Sequence, residues 1–342
     1  MEEITFRLVL DWETYFNANK YWSFGDDYSL FMLTGGRGIG KTTGLAAKSV
    51  LEYMKNGTEF VYVRRYITEL RKAKSLLDPI INKVKTVGRG NGAVQWEVDK
   101  KRIGYGVALT AQQSLKSGFD FSNVNILIYD EAILPRGGSY RYLSNEVEMF
   151  LELCSTVFRD RKGYKIFILG NNADMFNPYH AYFNIPKFET TFKNKARGIY
   201  CELAKNSPKL LKKEQETPLF KLTQGTAYAD YHYNNKVLTF ESGRIGEKNP
   251  NAELICRFVY NTITLNIYRQ SFKEIFVELR EKVIKDNSTY IIMEDDKPNY
   301  LYITAYRKSE IKKLIDICYF NSNCIFDGLH AVTLFDYIQE EL

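Results

Sequence analysis

The chain has 342 residues, 45% of them hydrophobic and 26% charged, with a formal net charge of +6. That length holds two domains with cores of their own, and the composition excludes a disordered polypeptide. No apolar run approaches the ~18 residues of a membrane span, the first residues lack the regions of a signal peptide, and five scattered cysteines without a C-x-x-C pair read as free thiols of a reducing cytosol.

In chain order, an apolar strand over residues 28–34 leads into Gly35-Gly36-Arg37-Gly38-Ile39-Gly40-Lys41-Thr42, and a helix from Lys41 to Met54 leaves it. This is the G-x-x-x-x-G-K-[ST] phosphate loop in the strand–loop–helix setting it requires. Its glycines let backbone N–H groups curl round an anion, and the helix N-terminus adds positive partial charge. The stretch from Gly35 to Thr43 is therefore the expected nucleoside triphosphate site, with Lys41 on the β/γ-phosphates and the Thr42 hydroxyl on Mg²⁺. Residues 59–63 form the next strand, closed by Arg64-Arg65, a pair available for phosphate or a neighbouring subunit, as is Arg37. A helical stretch over residues 68–77 follows, and residues 94–98 and 102–107 flank Asp99-Lys100-Lys101 as a hairpin.

Residues 125–129 are an apolar strand closed by Asp130-Glu131. A carboxylate at that place sits beside the Thr42-bound metal, and a second one orients the attacking water, so Asp130 reads as a metal ligand and Glu131 as the base. A helix over residues 145–158 is followed by Arg159 and Arg161. Arg159 is the better candidate for an arginine inserted into a neighbour's nucleotide. Residues 166–169 form another strand, ending at Asn171-Asn172, where one amide faces the γ-phosphate. Strands alternating with helices predict a parallel sheet with its ligand at the carboxyl ends of the strands. The absence of N-K-x-D argues against a guanine-specific switch.

Beyond residue 195 the pattern changes. Lys193, Lys195, Arg197, Lys205, Lys209, Lys212 and Lys213 stand against the single acid Glu202, in a Pro-punctuated segment that reads as a basic connector suited to a polyanion. Strands at 254–259, 262–269, 274–279 and 289–293 and two helices then make a small α/β or α+β domain. The expected division is 1–195, 196–230 and 231–342.

These strings resemble the DNA-packaging ATPases of small tailed, podovirus-type phages. The resemblance runs through the phosphate loop, Phe60-Val61-Tyr62-Val63-Arg64-Arg65-Tyr66, Asp130-Glu131, Asn145-Glu146-Val147, Thr156-Val157-Phe158-Arg159-Asp160-Arg161 and Asn172-Ala173 with Asn177-Pro178-Tyr179. It returns weakly at Gly225-Thr226-Ala227-Tyr228 and Val259-Tyr260-Asn261. It implies a P-loop ATPase of the type with an additional strand and a catalytic Glu, a short linker, and a C-terminal domain similar to the RNase H-like nucleases of terminases. It also implies ATP and Mg²⁺ as cofactors, a homo-oligomeric, pentameric ring, a portal on the procapsid, double-stranded DNA as cargo, and the host cytoplasm as location. Carried over by position, Arg159 is the trans-acting finger, Asn172 the sensing amide and Lys116 a lysine near the subunit boundary. One departure stands out: residues 254–270 hold no acid, and Asp327 alone does not make a two-metal site, so the second domain is expected to lack nuclease activity. A helicase or segregation ATPase on the same core, and a nucleotide-gated assembly protein with little turnover, are the rival readings.

Overall fold

The computed structural model describes residues 5–7, 10–90, 92–116, 118–134, 142–143, 145–171, 177–186, 188–226, 229, 233, 243–294, 297–320 and 323–341. It divides into two compact units: one takes residues 1–140, 149–174 and 189–238, the other 141–148, 175–188 and 239–342.

The first unit is built on one sheet. Its strands are β1 (Leu30–Gly35), β2 (Glu59–Arg64), β3 (Lys85–Gly90), β4 (Ala93–Val98), β5 (Lys101–Ala108), β6 (Val124–Ile133), β7 (Lys165–Gly170), β8 (Thr191–Asn194) and β9 (Ile199–Ala204). Their order is β3-β4-β5-β2-β6-β7-β1-β9-β8. From β5 through β9 the neighbours pair in parallel, while β3, β4 and β8 pair antiparallel at the edges. Every residue of β1 and β7 is buried, as expected for strands covered on both faces. Helix α1 (Lys41–Asn56) follows β1 and ends at Gly57 in the left-handed region, with its N–H on the Tyr53 carbonyl. Helix α2 (Glu146–Phe158) precedes β7. The core gathers Phe31, Leu45, Val50, Phe60, Trp96 and Phe167, among others, into one cluster.

Two differences from the sequence reading bear on the site. Strand β6 does not stop before Asp130-Glu131 but continues to Ile133, and its register against β7 breaks between Tyr129 and Ile133. A bulge there re-aims side chains. Strand β9 lies inside the segment read as connector yet pairs along the whole of β1, from Leu30↔Ile199 to Gly35↔Ala204. The flanking lysines mask it in the sequence, while Ile199, Tyr200, Cys201, Leu203 and Ala204 are buried.

The second unit holds a sheet of order β10-β16-β13-β12-β11-β14-β15. Its strands are β10 (Gly243–Ile245), β11 (Glu253–Tyr260), β12 (Ile263–Ser271), β13 (Glu274–Arg280), β14 (Thr289–Glu294), β15 (Lys297–Pro298) and β16 (Cys324–Phe326). β11, β12 and β13 form the expected antiparallel meander, β14 runs parallel to β11, and β16 runs parallel to β13. Helices α3 (Tyr300–Arg307), α4 (Glu310–Phe320) and α5 (Leu329–Glu341) contribute Tyr306, Ile315, Phe335 and Ile338 to a core shared with Phe258, Leu265 and Val277.

Candidate nucleotide site

The carboxyl ends of β1, β6 and β7 converge on one cleft of about 240 Å³, lined by Gly38, Gly40, Lys41, Thr42, Thr43, Asp130, Glu131, Gly170 and Asn171. Gly40 adopts φ +90° on entering α1, a conformation closed to an ordinary side chain, so the loop's last glycine is a backbone requirement. Lys41 is buried, and its Nζ donates to the Gly35 and Gly36 carbonyls, both at 2.9 Å. Burial pushes its pKa down to about 8, against the opposing pull of Asp130. Arg37 is exposed.

The Thr42 hydroxyl donates to Asp130 Oδ1 at 2.9 Å, which joins the loop to the strand-end carboxylate read from sequence. That separation equals the edge of an octahedron whose ligands lie ~2.0–2.1 Å from its centre, the demand of Mg²⁺ for hard oxygen donors. The two groups therefore fit the metal. Among the described residues, no cluster of three or more His, Cys, Asp or Glu side chains is arranged to hold a metal ion; Mg²⁺ does not need one, since it keeps water and substrate oxygens as ligands.

Asp130 and Glu131 are not a loose pair of surface acids. Tyr62 Oη donates to Asp130 Oδ2 at 2.7 Å, Arg64 Nη1 donates to the same oxygen at 3.0 Å, and Arg64 Nη2 bonds Glu131 Oε2. Burial disfavours the charge on Arg64, but the surrounding Tyr62, Asp130 and Glu131 outweigh it and raise its pKa. Burial and the Asp130 carboxylate together hold the Tyr62 phenol protonated. Arg65, fully buried, donates to the carbonyls of Glu131 at 3.2 Å and Ala132 at 2.7 Å. The Arg64-Arg65 pair, open in the sequence to phosphate or a neighbour, instead clamps the two carboxylates and the bulge behind them. The clue lay in the string Phe60 to Tyr66, but only the adjacency of β2 and β6 gives it meaning.

Glu131 itself has φ +52°, a strained setting for a residue with a side chain, and this leaves its carboxylate half-exposed at the cleft. Arg159 shares the same φ and is exposed just beyond α2. Arg161 is spent inside the unit: its guanidinium donates to the carbonyls of Phe121, Ser122, Val157 and Phe158 and to Asn125 Oδ1. Of the two arginines, Arg159 is the exposed one. Asn171 lines the cleft, whereas Asn172 and the Lys116 side chain lie outside the described residues. In the second unit, Asp327 accepts the Leu279 N–H at 2.7 Å.

Comparison with known proteins points one way. The chain is 26% identical over 326 residues to the DNA packaging protein of Bacillus phage phi29, covering 93% of this chain and 95% of that one. It is 28% identical over 310 residues to the DNA packaging protein of Bacillus phage B103, covering 88% and 94%. Its fold is similar to a chain of the bacteriophage phi29 viral genome packaging motor assembly (TM-score 0.63, 22% identity, 96% of this chain and 98% of that one). It is also similar to a chain of the phi28 gp11 DNA packaging motor (TM-score 0.64, 16% identity, 95% and 97%). The family model described as podovirus DNA encapsidation protein (Gp16) matches residues 10–338, and the chain belongs to that family.

Proposed function

We propose that this protein is the ATP-hydrolysing subunit of a ring motor that drives viral double-stranded DNA into a procapsid. The observation that carries the reading is the 2.9 Å contact between Thr42 and Asp130 beside the buried Lys41. Here Lys41 leaves the Gly35 and Gly36 carbonyls for the β/γ-phosphates, the loop from Gly35 to Thr43 cradles the triphosphate, and Thr42 and Asp130 hold Mg²⁺. When bound, that ion neutralises charge on the phosphate oxygens. Glu131 takes a proton from the attacking water, with Arg64 fixing the carboxylate. Arg159 enters the next subunit's site, Asn172 senses the γ-phosphate and Lys116 stands at the subunit boundary.

The placement of β7 between β1 and β6 supports the ATPase type with an additional strand. The meander β11–β13, with β14 parallel on the outer side of β11, supports an RNase H-like second domain. We assign that domain to docking and DNA binding without nuclease activity, since residues 254–270 hold no acid and Asp327 alone does not make a two-metal site. The linker role falls to residues 205–230, after β9. We assign its work to the host cytoplasm, on a portal-docked, pentameric ring; no helix among the described residues is long and apolar enough to cross a membrane.

The test is ATP turnover by the purified protein with duplex DNA and procapsids. Turnover rises when both are present, and Glu131→Gln lowers it by ~10²–10⁴-fold, the usual worth of a positioned base. Turnover that ignores DNA and procapsid and survives Glu131→Gln defeats the proposal.

A further inference from the structure

A second cleft, of about 180 Å³, opens on the other flank of the phosphate loop. It is lined by residues 12–17 together with Lys20, Tyr21, Ile39, Glu202, Ala204, Lys205, Ser207 and Leu210. The loop is the wall between the two clefts: Ile39 faces this one, while Gly38 and Gly40 face the cleft of Lys41 and Asp130. The Phe16 N–H donates to the Ile39 carbonyl at 2.9 Å, and a Cβ on Gly40 would lie 3.5 Å from that of Tyr15. Strand β9, which supplies Glu202 and Ala204, lies on the opposite side of β1 from β7 and β6. A nucleotide whose terminal phosphate points at Asp130 and Glu131 therefore has its nucleoside end directed to this side.

The lining suits a neutral heterocycle better than another phosphate. Its two carboxylates are already matched by lysines, Glu13 by Lys209 and Glu202 by Lys20 at 2.7 Å. Glu202 Oε2 also accepts from Tyr21 at 3.1 Å and Tyr200 at 2.9 Å, so the carboxylate is rigidly held. Tyr15 is 43% exposed, with the Lys213 ammonium 5.3 Å from its ring centroid, an aromatic platform at the mouth of the cleft. The volume is below the ~300–1,000 Å³ that encloses a whole drug-sized ligand and fits one planar ring system.

The geometry points to this cleft as the nucleobase subsite, with Tyr15 stacking on a purine and Glu202 accepting from the 6-amine that marks adenine. The inference rests on the nucleotide reading above. Calorimetry on the full chain with ATP, ITP and inorganic tripolyphosphate tests it. ATP binds more tightly than ITP, which presents a carbonyl oxygen where adenine has its amine, and roughly tenfold or more tighter than tripolyphosphate. Tyr15→Ala weakens ATP binding roughly tenfold and leaves tripolyphosphate binding unchanged, while Tyr15→Phe keeps the wild-type preference. Equal affinity for ATP and tripolyphosphate, or an equal loss of both in Tyr15→Ala, overturns the subsite. Equal affinity for ATP and ITP overturns the role of Glu202. Failure of the wild type to bind either ATP or tripolyphosphate overturns the nucleotide reading, and the subsite with it.

Discussion

Lys41 concentrates the chemistry of the site at the residue scale. Its folded pKa of about 8 lies below the ordinary ~10.4 of a lysine. Between those values the unfolded chain binds more protons than the folded one, so folding stability rises with pH across that window. Below it the chain carries a cost of about 3 kcal/mol, as a shift of this size implies. A bound triphosphate supplies the missing countercharge and raises the pKa again. Nucleotide binding then takes up a proton, and affinity is flat below pH 8 and falls above it. Calorimetry in buffers of different ionisation enthalpy reads that uptake directly; binding with no proton exchange at pH 8–9 contradicts it. That Lys41, Thr42, Asp130 and Glu131 would meet at one cleft was legible in the sequence, because a spacing rule and a strand end suffice to find them. Tyr62 and Arg64 were not, since their partners lie more than 60 positions away on a strand whose neighbour only the sheet order reveals.

Two elements decide how the site is held. The first is the end of α2, where the sequence offered Arg159 ahead of Arg161. Arg161 closes the helix by bonding the carbonyls of Val157 and Phe158 and reaching to Phe121 and Ser122. Arg161→Ala is expected to cost about 2 kcal/mol, the worth of hydrogen bonds made by a charged group. Arg159→Ala should leave stability within ~0.5 kcal/mol, as surface substitutions do. Thermal melting of the two variants checks the order, and a larger loss from Arg159→Ala reverses the assignment. The second element is the β1–β9 pair. A Cβ on Gly35 would meet the Ala204 carbonyl oxygen at 2.4 Å, a backbone atom held in the sheet that cannot swing aside, and Ile39 Cδ1 at 3.1 Å. Gly35→Ala should therefore cost ~1–3 kcal/mol by overpacking and loosen the loop that begins there; wild-type melting and nucleotide affinity in this variant would show the strands are not in that contact. The motif calls for glycine at both Gly35 and Gly40, but the steric reason at Gly35 was hidden, because β9 was not read as a strand.

For the molecule as a whole, the net charge of +6 says little, and the placement of that charge says more. The basic residues from Lys193 to Lys213 all belong to the first unit, on either side of β9, and several are engaged locally: Lys195 with Asp27, Lys209 with Glu13, Lys213 with the Tyr15 ring. The two ion pairs are exposed and worth at most ~1 kcal/mol each. A DNA phosphate can replace such a carboxylate at little cost, so the pairs hold these lysines in place without removing them from a polyanion. A motor that moves any sequence must grip phosphate and not bases, and each neutralised phosphate releases counterions. With about four or more such contacts, log K for a duplex should fall against log salt with a slope of about −3.5 or steeper, from roughly −0.9 per phosphate. Replacing Lys209, Lys212 and Lys213 together by glutamine should make that slope shallower by about two to three. Fluorescence anisotropy of a labelled duplex across a salt series measures both slopes. Equal slopes for the two proteins would remove this surface from the grip and leave the duplex to other parts of the chain.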